Sequence, residues 1–296
     1  MIAGAYPAAP PDQEPFLAHL AASPLVSGLE LPFVDDEARW LPHLLPAHWA
    51  NVVTAAPVTA IRGRTDPAYG LASTDETGRR AALAVTRALR DAVARSGLTV
   101  IAVELQSAPA RTGDLDSFVR SLTEIAGWDW SGARLVIEHC DAHVPAHPPE
   151  KGFLSLDAEL TAAAEVGMGV VVNWARSAIE TRTVDGPTDH VAQAGERLAG
   201  VLFSGVAPTQ VGDFPAWADA HLPPAPHEPA SLLTADAIAA TLAKSGDLEF
   251  TGVKVGARSG DRTPVDRAEG VLAALAMVDS SGKGGLEQPG VEEVRQ

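Results

Sequence analysis

The chain has 296 residues, 46% hydrophobic and 20% charged, with a formal net charge of -16. That length suits one large α/β barrel or two ordinary domains and exceeds a small module. The acidity argues against nucleic acid as a partner, because neutralising phosphates takes clustered Lys and Arg. The single cysteine, Cys140, excludes an intramolecular disulfide framework.

No apolar run is long enough to span a bilayer, and the start, MIAGAYPAAPPDQ, has neither a basic region nor a long apolar stretch of the secretory kind. The expectation is a cytoplasmic protein without a membrane partner.

Ile2 to Tyr6 reads as a first strand stopped by Pro7, and a helix follows from near Asp12 to before Pro24. Gly28 to Phe33 (GLELPF) is a second strand, with Glu30 at its middle or end. Asn51 to Ile61, rich in Val, Thr and Ala, is expected as a buried third strand. A helix over Glu76 to Ser96 stops at Gly97.

From there a unit repeats. Thr99 to Leu105 is a strand, and Asp114 caps a helix to Ala126. Ala133 to Glu138 is a strand, followed by a helix from Leu156 to Val166 closed by Gly167. Gly169 to Trp174 is a strand and Thr188 to Leu198 a helix. Gly200 to Ser204 is a strand, followed by a long Pro-rich segment and a helix from Ala235 to Lys244. Phe250 to Val255 is the eighth strand, and Thr263-Pro264 opens the last helix with Thr as N-cap.

Eight continuous apolar runs, each followed by a helix or helix-like stretch, predict parallel strands covered on both faces and a (β/α)8 TIM barrel over residues 1–279. A doubly wound open sheet is the alternative, but no G-x-G-x-x-G turn follows the first strand. Residues 280–296, rich in Gly, Glu and Ser, are expected to be a disordered tail.

In such a barrel the residues that matter stand where each strand meets its following loop. These are Tyr6, Glu30, Glu104 with Gln106, Glu138 with His139, Asn173 with Trp174 and Arg176, Ser204, and Lys254. Glu104 and Glu138 lie on adjacent strands and form a candidate acid–base pair. Lys254, between Val253 and Val255, is either a counter-ion for Glu138, a sugar-oxygen ligand or a Schiff-base lysine.

Asn173, Trp174 and Arg176 combine an amide, a flat ring and a guanidinium, which suits a sugar. The segment from Ala207 to Pro229 is long enough for a lid and offers Asp213, Phe214, Trp217, Asp219 and His221. The run Glu138, His139, Asp141, His143, with His147, has metal-ligand residue types at a spacing that matches no specific motif.

GLELPF on the second strand and LVIEH on the fifth resemble the xylose-isomerase-like TIM barrels, the sugar-phosphate isomerase/epimerase superfamily. Within it the chain is most similar to the bacterial branch known as domain of unknown function 4862. The resemblance implies a metal held by a Glu on strand five, an Asp or Glu on strand six, a His on strand seven and a Glu on the last strand. Glu138 matches the first position, whereas Asn173, Ser204 and Lys254 stand at the others. An ammonium repels a cation, so the expectation is a Glu138–Lys254 pair in place of the metal.

The expected function is a metal-independent sugar isomerase or epimerase with Glu138, Lys254 and Glu104 as catalytic residues. His139, Asp141, Asn173, Trp174, Arg176, Ser204, Trp217, Asp219 and His221 are the expected substrate ligands. A metal-free glycoside hydrolase or lyase using Glu104 and Glu138 is one alternative. A divalent metal on Glu138, His139 and Asp141, completed by His221, is another, and a non-catalytic sugar-binding protein is a third. The expected partner is a small sugar-like molecule, and a homo-oligomer is compatible with the sequence.

Overall fold

The computed structural model describes residues 1–4, 13–34 and 40–284. Eight strands pair in parallel, in sequence order, and the last closes on the first. They are β1 (Ile2–Gly4), β2 (Gly28–Pro32), β3 (Ala50–Thr54), β4 (Thr99–Leu105), β5 (Arg134–His139), β6 (Gly169–Asn173), β7 (Leu198–Phe203) and β8 (Phe250–Lys254). Parallel neighbours need crossovers, and helices supply most of them. These are α1 (Glu14–Ala21), α2 (Ala56–Thr65), α3 (Glu76–Arg95), α4 (Leu115–Ala126), α5 (Leu156–Val166), α6 (Trp174–Thr181), α7 (Gly186–Ala194), α8 (Ala235–Leu242) and α9 (Pro264–Gly284). Between β2 and β3 the described residues hold only a 3-10 turn, Pro42–Leu44. The expected TIM barrel is therefore the fold. No helix among the described residues is long and apolar enough to cross a membrane.

Local chemistry sets the helix ends. Asp114 Oδ1 accepts from the Ser117 amide at 2.6 Å and starts α4, and Asp75 does the same for α3 through Gly78 at 2.9 Å. Gly167 ends α5 in the left-handed conformation, φ 74°, where a side chain would be strained. Thr263 Oγ1 accepts from the Asp266 amide at 3.1 Å at the start of α9.

The main differences from the sequence reading are four, beside shifts of a residue or two at other strand and helix ends. The expected strand from Asn51 to Ile61 ends at Thr54, and α2 begins at Ala56. Pro57 lies in the first helical turn, where its missing N–H costs nothing, whereas within a central strand it would break the ladder. The expected strand from Gly169 to Trp174 ends at Asn173, and Trp174 opens α6, a helix absent from the sequence reading, with no residue between the two elements. The expected helix from Thr188 to Leu198 spans Gly186–Ala194 instead, and Leu198 already pairs with Val170 in the sheet. Ser280 to Gly284, read as tail, form the last turn of α9. Residues 285–296 and Tyr6 lie outside the described residues.

The main core lies between barrel and helices, around Phe16, Phe33, Leu89, Phe118, Trp174 and Leu275. Inside the barrel a second apolar cluster packs Ile2, Val52, Ala102, Val136, Val171, Ala199, Leu202 and Phe250. Side chains two residues apart on a strand share a face. Two residues beyond this plug, the inward positions are Gly4, Thr54, Glu104, Glu138, Asn173 and Ser204, joined by Glu30 and Lys254. The apolar plug thus carries a polar layer at the C-terminal mouth.

Candidate active site at the barrel mouth

Every polar side chain of this layer is buried: Glu30, Thr54, Glu104, Glu138, Asn173, Ser204 and Lys254 are at most 1% exposed. Charges in such a place must be paired. Lys254 Nζ lies 2.6 Å from Glu30 Oε1 and 3.6 Å from Glu138 Oε1. Arg176, on the first turn of α6, places Nη1 2.8 Å from Glu138 Oε1. Asn173 Nδ2 donates to the same oxygen at 3.2 Å, and Gln106 Nε2 donates to Glu138 Oε2 at 3.0 Å. Thr54 Oγ1 donates to Oε2 at 3.4 Å.

Burial opposes ionisation of Glu138, but Arg176, Lys254, Asn173 and Gln106 overcome it and hold its carboxyl at about 2. Glu138 is a fixed anion. Glu104 is its opposite. Burial, reinforced by the charges of Glu138 and Glu30, pushes it well above the usual carboxylate range. Neither of its oxygens accepts a hydrogen bond among the described residues. Of the three glutamates it is the one most strongly biased toward the protonated form. Glu30 is also raised, because burial outweighs the attraction of Lys254, and its Oε2 has no hydrogen-bond partner among the described residues. Oxygens of Glu30, Glu104 and Glu138 come within 4.8 Å of one another.

The segment after β7 folds back over this layer. Gly205 and Leu222 pair in an antiparallel bridge, which brings Asp219 to Arg176. Asp219 Oδ2 lies 3.2 Å from Arg176 Nε and 3.1 Å from Lys151 Nζ, and Oδ1 lies 3.4 Å from His221 Nδ1. Burial would raise Asp219, yet Arg176 and Lys151 hold it well below the carboxylate range. Burial lowers His221 to about 4, against the pull of Asp219, so its ring is neutral. Lys151, Asp219, Arg176, Glu138, Lys254 and Glu30 form one chain of alternating charge. Ser204 Oγ joins it through Asn173 Oδ1, 3.2 Å away.

The other expected ligands stand elsewhere. His139 follows Glu138 directly and so leaves β5 on the opposite face, toward the helices, where Nδ1 is 2.6 Å from Glu159 Oε2 and Nε2 is 3.2 Å from Glu180 Oε2. Burial would lower His139, but these carboxylates raise it to about 10. Trp174 follows inward Asn173 and points outward, its Nε1 donating to Thr241 Oγ1 at 3.1 Å. Asp141 Oδ2 accepts from the amides of Glu150 and Lys151 at 2.7 and 2.8 Å, which shapes the loop after β5. Glu138 and His139 face opposite sides of the barrel wall and cannot share one ion. Trp217 stacks under Arg182, 4.8 Å from its guanidinium, and Asp213, Phe214 and His143 are exposed. His147 Nε2 lies 2.8 Å from the Glu180 carbonyl oxygen. Arg176 Nη1 also reaches Cys140 Sγ at 3.0 Å, but burial pushes that thiol up, away from nucleophilic thiolate.

Sequence reasoning passed over Thr54, Lys151, Glu159, Glu180 and His190. Thr54 ends an apolar run, as the other mouth residues do, and the same rule finds it. Lys151 reaches the site only through the fold of its loop, Glu180 lies on α6, which the sequence reading did not contain, and His190 lies on α7, whose bounds it shifted.

A divalent metal suits the mouth poorly. The places expected to supply ligands offer one carboxylate, an amide, a hydroxyl and an ammonium. Two of the three convergent glutamates, Glu30 and Glu138, already hold Lys254 and Arg176 within contact distance, so a dication would meet two fixed cations.

Comparison with known proteins places this geometry among relatives. The family described as Domain of unknown function (DUF4862) matches residues 2–269. An uncharacterized protein, STM3670, of Salmonella typhimurium strain LT2 is 38% identical over 280 residues, covering 86% of this chain and 88% of its own. The crystal structure of a D-psicose 3-epimerase is similar in fold, with TM-score 0.55 and 15% identity over 92% of this chain and 94% of that one. A xylose isomerase domain protein from Alicyclobacillus acidocaldarius gives TM-score 0.52 and 17% identity over 90% and 92%.

Proposed function

The chain belongs to the family described as Domain of unknown function (DUF4862), and from that premise we propose that it is a sugar isomerase or epimerase whose barrel mouth works without a divalent metal. The observation that carries this reading is the Lys254 ammonium between Glu30 and Glu138, beside Glu104, which burial raises well above the carboxylate range. The folds named above, one of a sugar epimerase, support a sugar as the substrate class, by analogy of architecture alone.

Isomerisation or epimerisation next to a carbonyl needs a base for the C–H proton, an acid for the carbonyl oxygen and a positive field for the enediolate. Glu30, raised and with Oε2 unengaged among the described residues, is the better base. The base takes the proton from carbon, the C–H electrons form the carbon–carbon double bond, and the carbonyl oxygen takes the Glu104 proton. Glu30 then delivers its proton to carbon as an enediol hydroxyl becomes the new carbonyl, and the proton released from that hydroxyl returns to Glu104, which restores both residues. Lys254 and Arg176 supply the positive field. Glu138 at about 2 is a weak base, and its part is to hold those two cations in place.

The test is solvent exchange: chelator-treated enzyme is incubated with aldoses and ketoses in D2O, and deuterium at the carbon next to the carbonyl is read by NMR. Exchange is expected in wild type and a loss on the order of 10²–10⁴-fold in Glu30→Gln and in Glu104→Gln. Exchange that appears only after a divalent metal is restored, or that survives both substitutions, overturns the reading.

A further inference from the structure

A second cluster lies behind the barrel wall, on the helix side of β5. His139 and His190 rings meet edge to face there, with centroids 5.1 Å apart and planes at 70°. His139 Nε2 faces Glu180 Oε2 at 3.2 Å and His190 Nε2 faces Glu180 Oε1 at 3.8 Å. The other ring nitrogens are each held from behind. His139 Nδ1 is 2.6 Å from Glu159 Oε2, whose Oε1 accepts from Ser107 Oγ at 2.5 Å, and His190 Nδ1 is 3.0 Å from Ser177 Oγ. The Ala142 amide fixes Glu180 Oε2 at 2.7 Å.

We propose that His139, Glu180 and His190 form a binding site for a transition-metal dication of the zinc class, separate from the barrel mouth. Two histidines that present Nε2 to one carboxylate, with each Nδ1 oriented by a carboxylate or hydroxyl, reproduce the outer support that metal-binding imidazoles need. Ligand atoms from all three residues lie within 4.8 Å of one another. Tetrahedral bonds of about 2.0–2.1 Å imply ligand-to-ligand distances of about 3.3 Å. The 3.2 and 3.8 Å separations bracket that value, and the longer one exceeds hydrogen-bond reach. A dication with both imidazoles neutral balances the charges of Glu159 and Glu180. Glu180 and His190 side chains keep 12% and 10% exposure, so the cluster touches solvent, which can supply water as a fourth ligand. The ion would join β5, α6 and α7, and α6 carries Arg176 one turn before Glu180. Its binding displaces the His139 Nε2 proton, so affinity falls on acidification.

The test titrates chelator-treated, tag-free protein with Zn²⁺ by calorimetry and with Co²⁺ as an absorbing probe. One equivalent is expected, with the visible absorption of a four-coordinate nitrogen–oxygen site. His190→Ala and Glu180→Gln are expected to weaken binding by about 100-fold or more, and Ser177→Ala by about 10-fold. Glu30→Gln, in the mouth, should leave it unchanged, and circular dichroism verifies that each variant is folded. Absence of Zn²⁺ binding in wild type, or binding indifferent to His190→Ala and Ser177→Ala, overturns the site in favour of a hydrogen-bonded network alone. Binding lost in Glu30→Gln and kept in His190→Ala would instead place the ion in the mouth, overturning this site and the metal-free reaction together.

Discussion

Lys254 reaches Glu30 across an intervening strand. Its Nζ stands 2.6 Å from Glu30 Oε1, although β1 separates β8 from β2. Gly4 makes this reach possible. It pairs with Lys254 in register, and a Cβ there would sit 2.6 Å from Glu30 Oε2 and 3.2 Å from Lys254 Cβ. Removing one partner of a buried ion pair strands the other, at a cost of about 3–5 kcal/mol. Lys254→Met is expected to lose that much in urea unfolding, and Lys254→Met with Glu30→Gln to recover most of it. A double variant no more stable than the single one would show that Glu30 is not the partner that matters.

Glu104→Gln has a signature in stability as well as in turnover. A carboxyl raised by burial binds its proton in the folded state at pH values where the unfolded chain has released it. Its favourable share is complete below the ordinary value of 4.5 and is lost as pH rises toward the folded value. The melting temperature of Glu104→Gln should therefore exceed that of wild type by a margin that widens above pH 4.5. A constant margin would mean that Glu104 ionises as readily in the fold as outside it.

Glu138 runs the other way. Held at about 2, its share is present above the unfolded value of 4.5 and is lost as pH falls toward 2. Arg176→Met removes its nearest cation, so the carboxyl is expected to titrate at higher pH and the variant to unfold at higher pH in an acid titration. Difference infrared spectra of the carboxylate band give the protonation midpoint directly, and an unmoved midpoint refutes Arg176 as the main support.

Trp174 tests the parity of the strand ends. Trp174→Phe removes the bond to Thr241 and should cost about 1 kcal/mol in denaturant unfolding. Turnover and KM should not change, because the ring faces the helices. A KM increase without loss of stability would return Trp174 to the substrate.

Much of the mouth was legible because continuous apolar runs end in polar residues, and Glu104, Glu138, Asn173, Ser204 and Lys254 were found by that rule alone. Two-residue alternation, applied one step further, separates Glu138 from His139 and Asn173 from Trp174, and the run EHCDAH concealed it by crowding ionisable types together. The Glu138–Lys254 pair was legible and stands at 3.6 Å, but the closer partner of Lys254 was not. Glu138 was the expected partner, and the choice of Glu30 at the shorter distance depends on barrel closure and on the gap at Gly4. The start of α6 was equally hidden, because no turn residue marks it. Asp219 and Lys151 meet through loops, for which local sequence offers no period.

The direct passage from Asn173, the last residue of β6, to Trp174, the first of α6, has a consequence for how this barrel can be retuned. One residue inserted at that joint would turn the helix by about 100°. Arg176 would swing off Glu138 and Glu180 off His139 in a single stroke. The sixth unit is thus a fixed pivot shared by both sides of the wall. Diversification of substrate preference, natural or engineered, is therefore expected in the loops after β5 and β7 and not at this joint.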